Sequence, residues 1–332
     1  MAITITAYKG IDIAAYLATY VKPNFSPVGF GYFSPDTSDT FGNHYAASEQ
    51  TNFTPNPDNL TKQTIIFESG DAGDFSYIPV DPHIVSGSLD AISFGYGATY
   101  NSGTDTFSLT QLDLRISGLG LVYQTGLSTL FNLLNDGRNG EIGHLNILLA
   151  GSEINFVGSI GDDTFIGYSQ NDTLSGGDGD DTLGGAGGVN TLTGGAGNDT
   201  FIYGGQGVDT ITDFAGGPGA GDVIRVTGVY TTFAQLQEHI TLVNGDADTQ
   251  IDFGGGKTLT LAGFNGLLDE DDFVFPGPEV EVKGNSVVIV DDDTTPSAAD
   301  HTDFGSVGIG ASMIRTFTVY NTGAADLTLS NL

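Results

Sequence analysis

Between Gly158 and Asp213 glycine returns at a fixed nine-residue step. Units open at Gly158, Gly167, Gly176, Gly185 and Gly194, and a sixth opens at Gly204 after one extra residue. The template is G-G-x-G-x-D-x-U-x, with U apolar. The U positions hold Phe165, Leu174, Leu183, Leu192, Phe201 and, displaced by one residue, Ile211. The sixth positions hold Asp163, Asp172, Asp181, Asn190, Asp199 and Asp209. A flexible glycine-rich linker keeps no such phase, so the segment is a repeat with a structure of its own. Yet one apolar residue per unit cannot offset a backbone entropy cost of ~1–2 kcal/mol per residue. Residues 158–213 also hold nine Asp and no Lys, Arg or Glu, so like charges repel throughout. Something besides apolar burial must hold the segment together.

The residue types name that partner. Glycine accepts positive φ and lets a loop turn its carbonyl oxygens inward. Each Asp adds a hard carboxylate oxygen, and Ca²⁺ takes six to eight oxygens at ~2.3–2.6 Å. The x-U-x triplet suits a short strand whose apolar side chain points inward. Stacked half-turns with calcium between their loops follow, with Asp163, Asp172, Asp181, Asp199 and Asp209 as candidate ligands. The segment is expected to be unfolded at low calcium and folded at high calcium. Two units depart from the template. Tyr168 and Gln170 stand where glycine is usual, and Asn190 stands for Asp, so calcium binding is expected to be weak or lost there. The pattern resembles the RTX parallel β-roll. Asp209–Phe214 and the strands to Phe275 are similar to the capping region after such rolls in secreted proteases of the serralysin type. The resemblance implies type I secretion from a Gram-negative bacterium and folding outside the cell, free or at its surface.

Composition agrees. The chain has 332 residues, 41 acidic against 9 basic, for a net charge of −32. That argues against nucleic acid and anionic membrane surfaces as partners. There is no cysteine, which fits a protein that never meets an oxidising folding compartment. MAITITAYKG lacks the basic and apolar regions of a Sec signal peptide, and no apolar run reaches the ~18 residues of a membrane span.

Residues 1–155 read as a mixed domain. Ile13, Tyr16, Leu17 and Tyr20 form a helical stripe, as do Leu127, Leu130, Phe131 and Leu134; Ile142, Leu145 and Leu149 suggest a third helix. Thr64–Phe67 is a strand candidate. Leu112, Leu114 and Ile116 alternate with Asp113, Arg115 and Ser117 as in a half-buried strand. The pattern predicts an α+β domain with helices on one face of an antiparallel sheet. It carries no HExxH, no nucleophile elbow and no phosphate loop. His44, His83, His144, His239 and His301 are isolated in sequence, and Glu141 and His144 have no second histidine nearby. A zinc protease is therefore not expected.

The informative stretch is GDFSYIPVDPHIVSGSLDAISFG, Gly73 to Gly95. Tyr77 and His83 flank a loop stiffened by Pro79 and Pro82. A phenolate suits Fe(III), and a histidine taking the phenol proton favours the anionic form, which a free phenol of pKa ~10 does not reach at neutral pH. The stretch resembles the haem-binding loop of the HasA-type haemophores. The resemblance implies that Tyr77 ligates haem iron and that His83 hydrogen-bonds that tyrosine, ahead of the family's strand at Leu89–Gly95. AAYLATY at Ala14–Tyr20 and HYAAS from His44 are further landmarks. The loop at 22–43 contains no histidine, so a Tyr77-only ligand is expected, with aromatic packing against the porphyrin. Haemoproteins as the haem source and an outer-membrane haemophore receptor are the implied partners.

After Pro276-Gly277-Pro278 the pattern is β again, at Val280/Val282, Val287–Val290 and Phe317/Val319. It resembles the opening half of a choice-of-anchor-D Ig-like domain, and reads as a sandwich continuing past Leu332. The expected organisation is a haemophore-like α+β domain at 1–155, an all-β parallel roll with capping strands at 156–277, and a partial Ig-like β-sandwich at 278–332. The expected function is capture of ferric haem (Fe-protoporphyrin IX) for bacterial iron acquisition on a calcium-folded scaffold. The alternative is a calcium-dependent adhesin or structural exoprotein without haem.

Overall fold

The computed structural model describes residues 2–21, 32–33, 44–50, 60–70, 75–78, 84–104, 106–122, 129–139, 141–217, 221–277, 280–289, 295–306 and 312–321. The glycine-aspartate segment forms two stacked sheets, with the chain crossing from one to the other at each unit. Ile154–Val157, Thr173–Asp178, Val189–Ala196, Val208–Ile211 and Thr258–Leu261 pair in parallel in the larger sheet. Thr164–Ile166, Thr182–Gly184, Thr200–Tyr203, Val223–Val226 and Phe273–Val274 do so in a five-stranded sheet.

All six U residues are buried. Register sets them in two columns. Phe156, Leu174, Leu192, Ile211 and Leu261 align in one sheet. Phe165, Leu183, Phe201, Ile224 and Phe273 align in the other. Single apolar residues thus become a continuous core by stacking, which the unit alone could not supply.

The roll does not start at the first glycine unit. Phe156 is fully buried and stacks on Phe165 at 4.8 Å. The strand Ile3–Ala7 then pairs in parallel with Ile154–Val157, placing Ile5 opposite Phe156. The five residues after Ala7 continue the winding: Thr164 donates to the Ile11 carbonyl at 2.9 Å, and Asp12 bridges Thr164. The N-terminal segment therefore lies over the first strand of both roll sheets. The far end closes with the antiparallel hairpin Ile240–Val243 and Asp248–Asp252, which adds to Thr258–Leu261.

Ile3–Ala7 also pairs antiparallel with Thr106–Ser117 on its other side. The sheet continues through Ala91–Asn101, Gln63–Glu68, His44–Ser48 and Tyr32–Phe33, giving 13 strands in one sheet among the described residues. The N-terminal region and the roll share it. The expected helices are present at Ile13–Val21, Thr129–Asn139 and Gly143–Ala150. Leu17, Tyr20, Leu130, Leu134, Leu145 and Leu149 are buried in the core that also holds Ile65, Phe67, Ile92 and Phe94. Leu127 lies outside the described residues, and Ile142 sits at the N-cap of the third helix.

Two details depart from the alternation read in sequence. Asp113 is fully buried. It is held there by Lys9 Nζ at 2.6 Å, the Tyr16 hydroxyl at 3.1 Å and Gln111 Nε2 at 2.8 Å. Asp272–Phe275 reads in sequence as an alternating strand, but Asp272 ends a short 3-10 turn, where Asp269 and Asp272 form a reciprocal capping box. Beyond residue 279, Val280–Gly284 pairs with Val287–Ile289 and Phe317–Asn321 in a three-stranded antiparallel sheet.

Phe156→Ala, which removes the ring between Ile5 and Leu174, is expected to cost about 3–5 kcal/mol. Urea unfolding of the calcium-saturated chain measures it. Because the sheet is shared, amide exchange at Ile3–Ala7 is expected to accelerate together with exchange at Thr173–Asp178.

Candidate metal-binding loops and the Tyr77 hairpin

The loops of the roll form two stacks. Gly158–Asp163, Gly176–Asp181 and Gly194–Asp199 make the first; Gly167–Asp172, Gly185–Asn190 and Gly204–Asp209 make the second. Every sixth-position residue is buried, between 1% and 2% exposed. The five predicted ligands thus lie in two separate rows.

In the first stack each sixth-position backbone N–H donates to the carboxylate one full turn on. Asp163 donates to Asp181 Oδ1 at 2.7 Å and Asp181 to Asp199 Oδ1 at 2.9 Å, each 18 residues away. Asp199 then donates to Asp222 Oδ1 at 2.9 Å. At the other end Asp163 Oδ1 accepts the Ile11 N–H at 2.8 Å. The repeat template does not reach Asp222, since the step to it lengthens to 23 residues. Its signal in sequence was the Gly-Asp pair at Gly221-Asp222.

The second stack repeats the arrangement. Ile154 donates to Asp172 Oδ1 at 2.7 Å, and Asp172 to Asn190 Oδ1 at 2.8 Å. Asn190 Nδ2 then donates to Asp209 Oδ1 at 2.8 Å and to the Gly187 carbonyl at 2.9 Å.

The second carboxylate oxygen separates the units. Asp163 Oδ2 accepts the Ser159 N–H at 2.6 Å, and Asp172 Oδ2 accepts the Tyr168 N–H at 3.0 Å. In the next two units of the first stack that second position is Gly177 or Gly195, at φ 112° and 111°. Glycine alone tolerates this, and a Cβ would overlap the carbonyl oxygens of Ser159 and Gly177. Asp181 Oδ2 is buried with no hydrogen-bond partner. An orphaned carboxylate oxygen in a glycine loop fits a hard cation. Among the described residues no three His, Cys, Asp or Glu side chains converge on a metal position. A cation here would draw most of its oxygens from loop carbonyls, with carboxylates as the minority.

The electrostatics agree. Burial, followed by Asp199, Asp163 and Asp162, pushes the Asp181 carboxyl up to about 7. Burial, with Asp222, Asp213 and Asp180, pushes Asp199 up to about 6. Burial pushes Asp209 up to about 7, although hydrogen bonds from Asn190 oppose the shift. Asp172 and Asp222 are also raised, chiefly by burial.

Tyr77 lies mid-strand in Ser76–Ile78, which pairs with Ile84–Ser86 so that Tyr77 faces Val85. The two strands pair antiparallel; Pro79, Pro82 and His83 lie outside the described residues. A phenol oxygen on a hairpin is chemically a suitable donor to ferric iron. His44 opens its strand and accepts the Phe107 N–H at 2.9 Å through Nδ1. His144 Nδ1 lies 3.0 Å from Asp136 Oδ1, and His239 stacks on Tyr230.

Residues 157–192 and 184–212 match the model of the RTX calcium-binding nonapeptide repeat. The roll is built of RTX repeats. Such repeats are typical of secreted proteins of Gram-negative bacteria. No helix among the described residues is long and apolar enough to cross a membrane. No curated protein sequence matches the chain. Among solved structures, the apo haemophore HasA of Yersinia pestis is 19% identical, covers 45% of this chain and 89% of its own, and gives a TM-score of 0.35. The AlgE6R3 subunit of the Azotobacter vinelandii mannuronan C5-epimerase is 21% identical over 48% of this chain and 88% of its own, at 0.29. The extracellular lipase LipA of Serratia marcescens is 17% identical over 68% of this chain and 32% of its own, at 0.25. Likenesses of this size decide neither the fold nor the function of this chain.

A carboxyl held above its ordinary pKa favours the fold while it is protonated. That contribution is complete below the unfolded value of ~3.9 and is lost as pH rises through the folded value. For Asp181, Asp199 and Asp209 the loss begins above about pH 4 and is complete once pH passes the folded values of about 6 to 7. In chelator, the far-ultraviolet β signal of the chain is therefore expected to be larger at pH 5 than at pH 8. Added calcium is expected to abolish the difference.

Proposed function

We propose that this is an extracellular calcium-folded protein whose N-terminal region captures ferric haem through Tyr77. The RTX repeats make it a calcium-binding chain of the kind found in exoproteins. The observation that supports haem capture is the position of Tyr77. It stands on the hairpin Ser76–Ile78 with Ile84–Ser86, directly before the strands Ser88–Leu89 and Ala91–Asn101 that carry the haemophore-like LDAISFG sequence. Bound haem would supply the ferric iron; Tyr77 would hold it, and His83 would keep the phenol deprotonated. The protein is read as a binder and not as an enzyme. Haemoproteins would supply the haem, an outer-membrane receptor would accept it, and type I secretion would export the chain. Residues 278–332 would begin an Ig-like module.

A second reading is a calcium-stiffened adhesin or structural exoprotein. One observation favours it: the 13-stranded sheet makes the N-terminal region a terminal cap on the roll, which is a structural role in itself.

Hemin titration of the full chain in calcium separates the two. Capture gives a shifted Soret band with charge-transfer bands that Tyr77→Phe abolishes and His83→Ala weakens. An unchanged hemin spectrum, or a Tyr77→Phe spectrum equal to that of the unsubstituted chain, leaves the structural reading.

A further inference from the structure

Asp181 and Asn190 occupy equivalent rungs of the two loop stacks. Asp181 Oδ1 accepts the Asp163 N–H at 2.7 Å, and Asn190 Oδ1 accepts the Asp172 N–H at 2.8 Å. Their other terminal atoms are therefore counterparts: Oδ2 in Asp181 and Nδ2 in Asn190. Asp181 Oδ2 is buried and unpartnered. Asn190 Nδ2 donates to both Asp209 Oδ1 and the Gly187 carbonyl. Two oxygens converge on a nitrogen that carries the hydrogens they need. A cation at the same point would satisfy the same oxygens, so amide and metal are alternative solutions to one problem.

The Asp172 unit of the second stack is also closed without a cation. Asp172 has both oxygens engaged, by Ile154 and Tyr168 N–H groups. Ser169 and Gln170 stand at its third and fourth positions, where the first stack has Asp178-Gly179 and Ala196-Gly197.

Resting on the calcium reading above, we propose that calcium loads only the first loop stack, at Asp181, and that the Asn190 amide closes the second stack without metal. The roll then has a metal-dependent side and a metal-independent side, set by one oxygen-to-nitrogen exchange. Asp163, Asp172 and Asp209 serve as hydrogen-bond acceptors in this arrangement.

Isothermal titration of the chelator-stripped full chain with calcium chloride tests this, with the β signal followed in parallel. Asn190→Asp replaces the amide donor by an oxygen facing two oxygens. It is expected to bind one further calcium ion and to need more calcium to fold. Asp172→Asn and Asp209→Asn are expected to leave the ion count unchanged, and Asp181→Asn to lower it. The proposal is overturned if Asn190→Asp adds no ion, or if Asp172→Asn or Asp209→Asn lowers the count as Asp181→Asn does. Should Asp181→Asn not fold, the Asn190→Asp count decides alone. Absence of calcium binding by the unsubstituted chain would instead defeat the calcium reading.

Discussion

The structure depends on carboxylates that the fold buries among their own kind. Asp181, Asp199 and Asp222 each accept a backbone N–H from the loop one turn earlier, and this ladder holds the loops in phase. The same ladder places Asp163, Asp181, Asp199 and Asp222 in a single row. Buried charge without compensation is costly. A proton, an amide donor or a cation can relieve it, and the residues 158–213 offer no lysine or arginine to do so. Calcium responsiveness is thus a consequence of how the backbone is satisfied, and not an addition to a finished fold.

A stack of open strands also needs its ends covered. Here the chain begins by making that cover. Ile3–Ala7 extends the larger sheet, and Ile11 and Asp12 extend the smaller one. Ile11 even supplies the N–H that terminates the first carboxylate ladder, a contact spanning 152 residues. Order in the repeat is therefore transmitted to the first residues of the chain by hydrogen bonds and by the Ile5–Phe156–Leu174 column. Cooperative units follow such continuous packing more closely than they follow sequence boundaries.

Sequence reveals whatever is periodic and local. The nine-residue phase located every buried U residue and every sixth-position ligand candidate, and the i, i+3, i+4 stripe located Ile13–Val21. Long-range pairing is a different kind of information. Ile3–Ala7 reads as an ordinary strand, and nothing in it signals that Ile154–Val157 is its neighbour. Phe156 keeps the nine-residue distance to Phe165 but lacks the preceding glycines, so the template passes over it. Asp222 is missed because residues after Ile211 lengthen the turn. Asp113 looks exposed by alternation because its partners Lys9 and Tyr16 come from a distant part of the chain. The unequal fates of Asp181 and Asn190 could be suspected from composition, but only the rung geometry shows that one terminal atom replaces the other.

The Tyr77 hairpin stands apart from all this. Ser76–Ile78 and Ile84–Ser86 form their own two-stranded sheet. An isolated pair of strands is marginal in water. The helix Thr129–Asn139 contacts the second strand, and the same helix buries Leu130, Leu133 and Leu134 in the core shared with the roll. The hairpin is thus tied to the shared core through helix packing, while its pairing is separate from the carboxylate ladder.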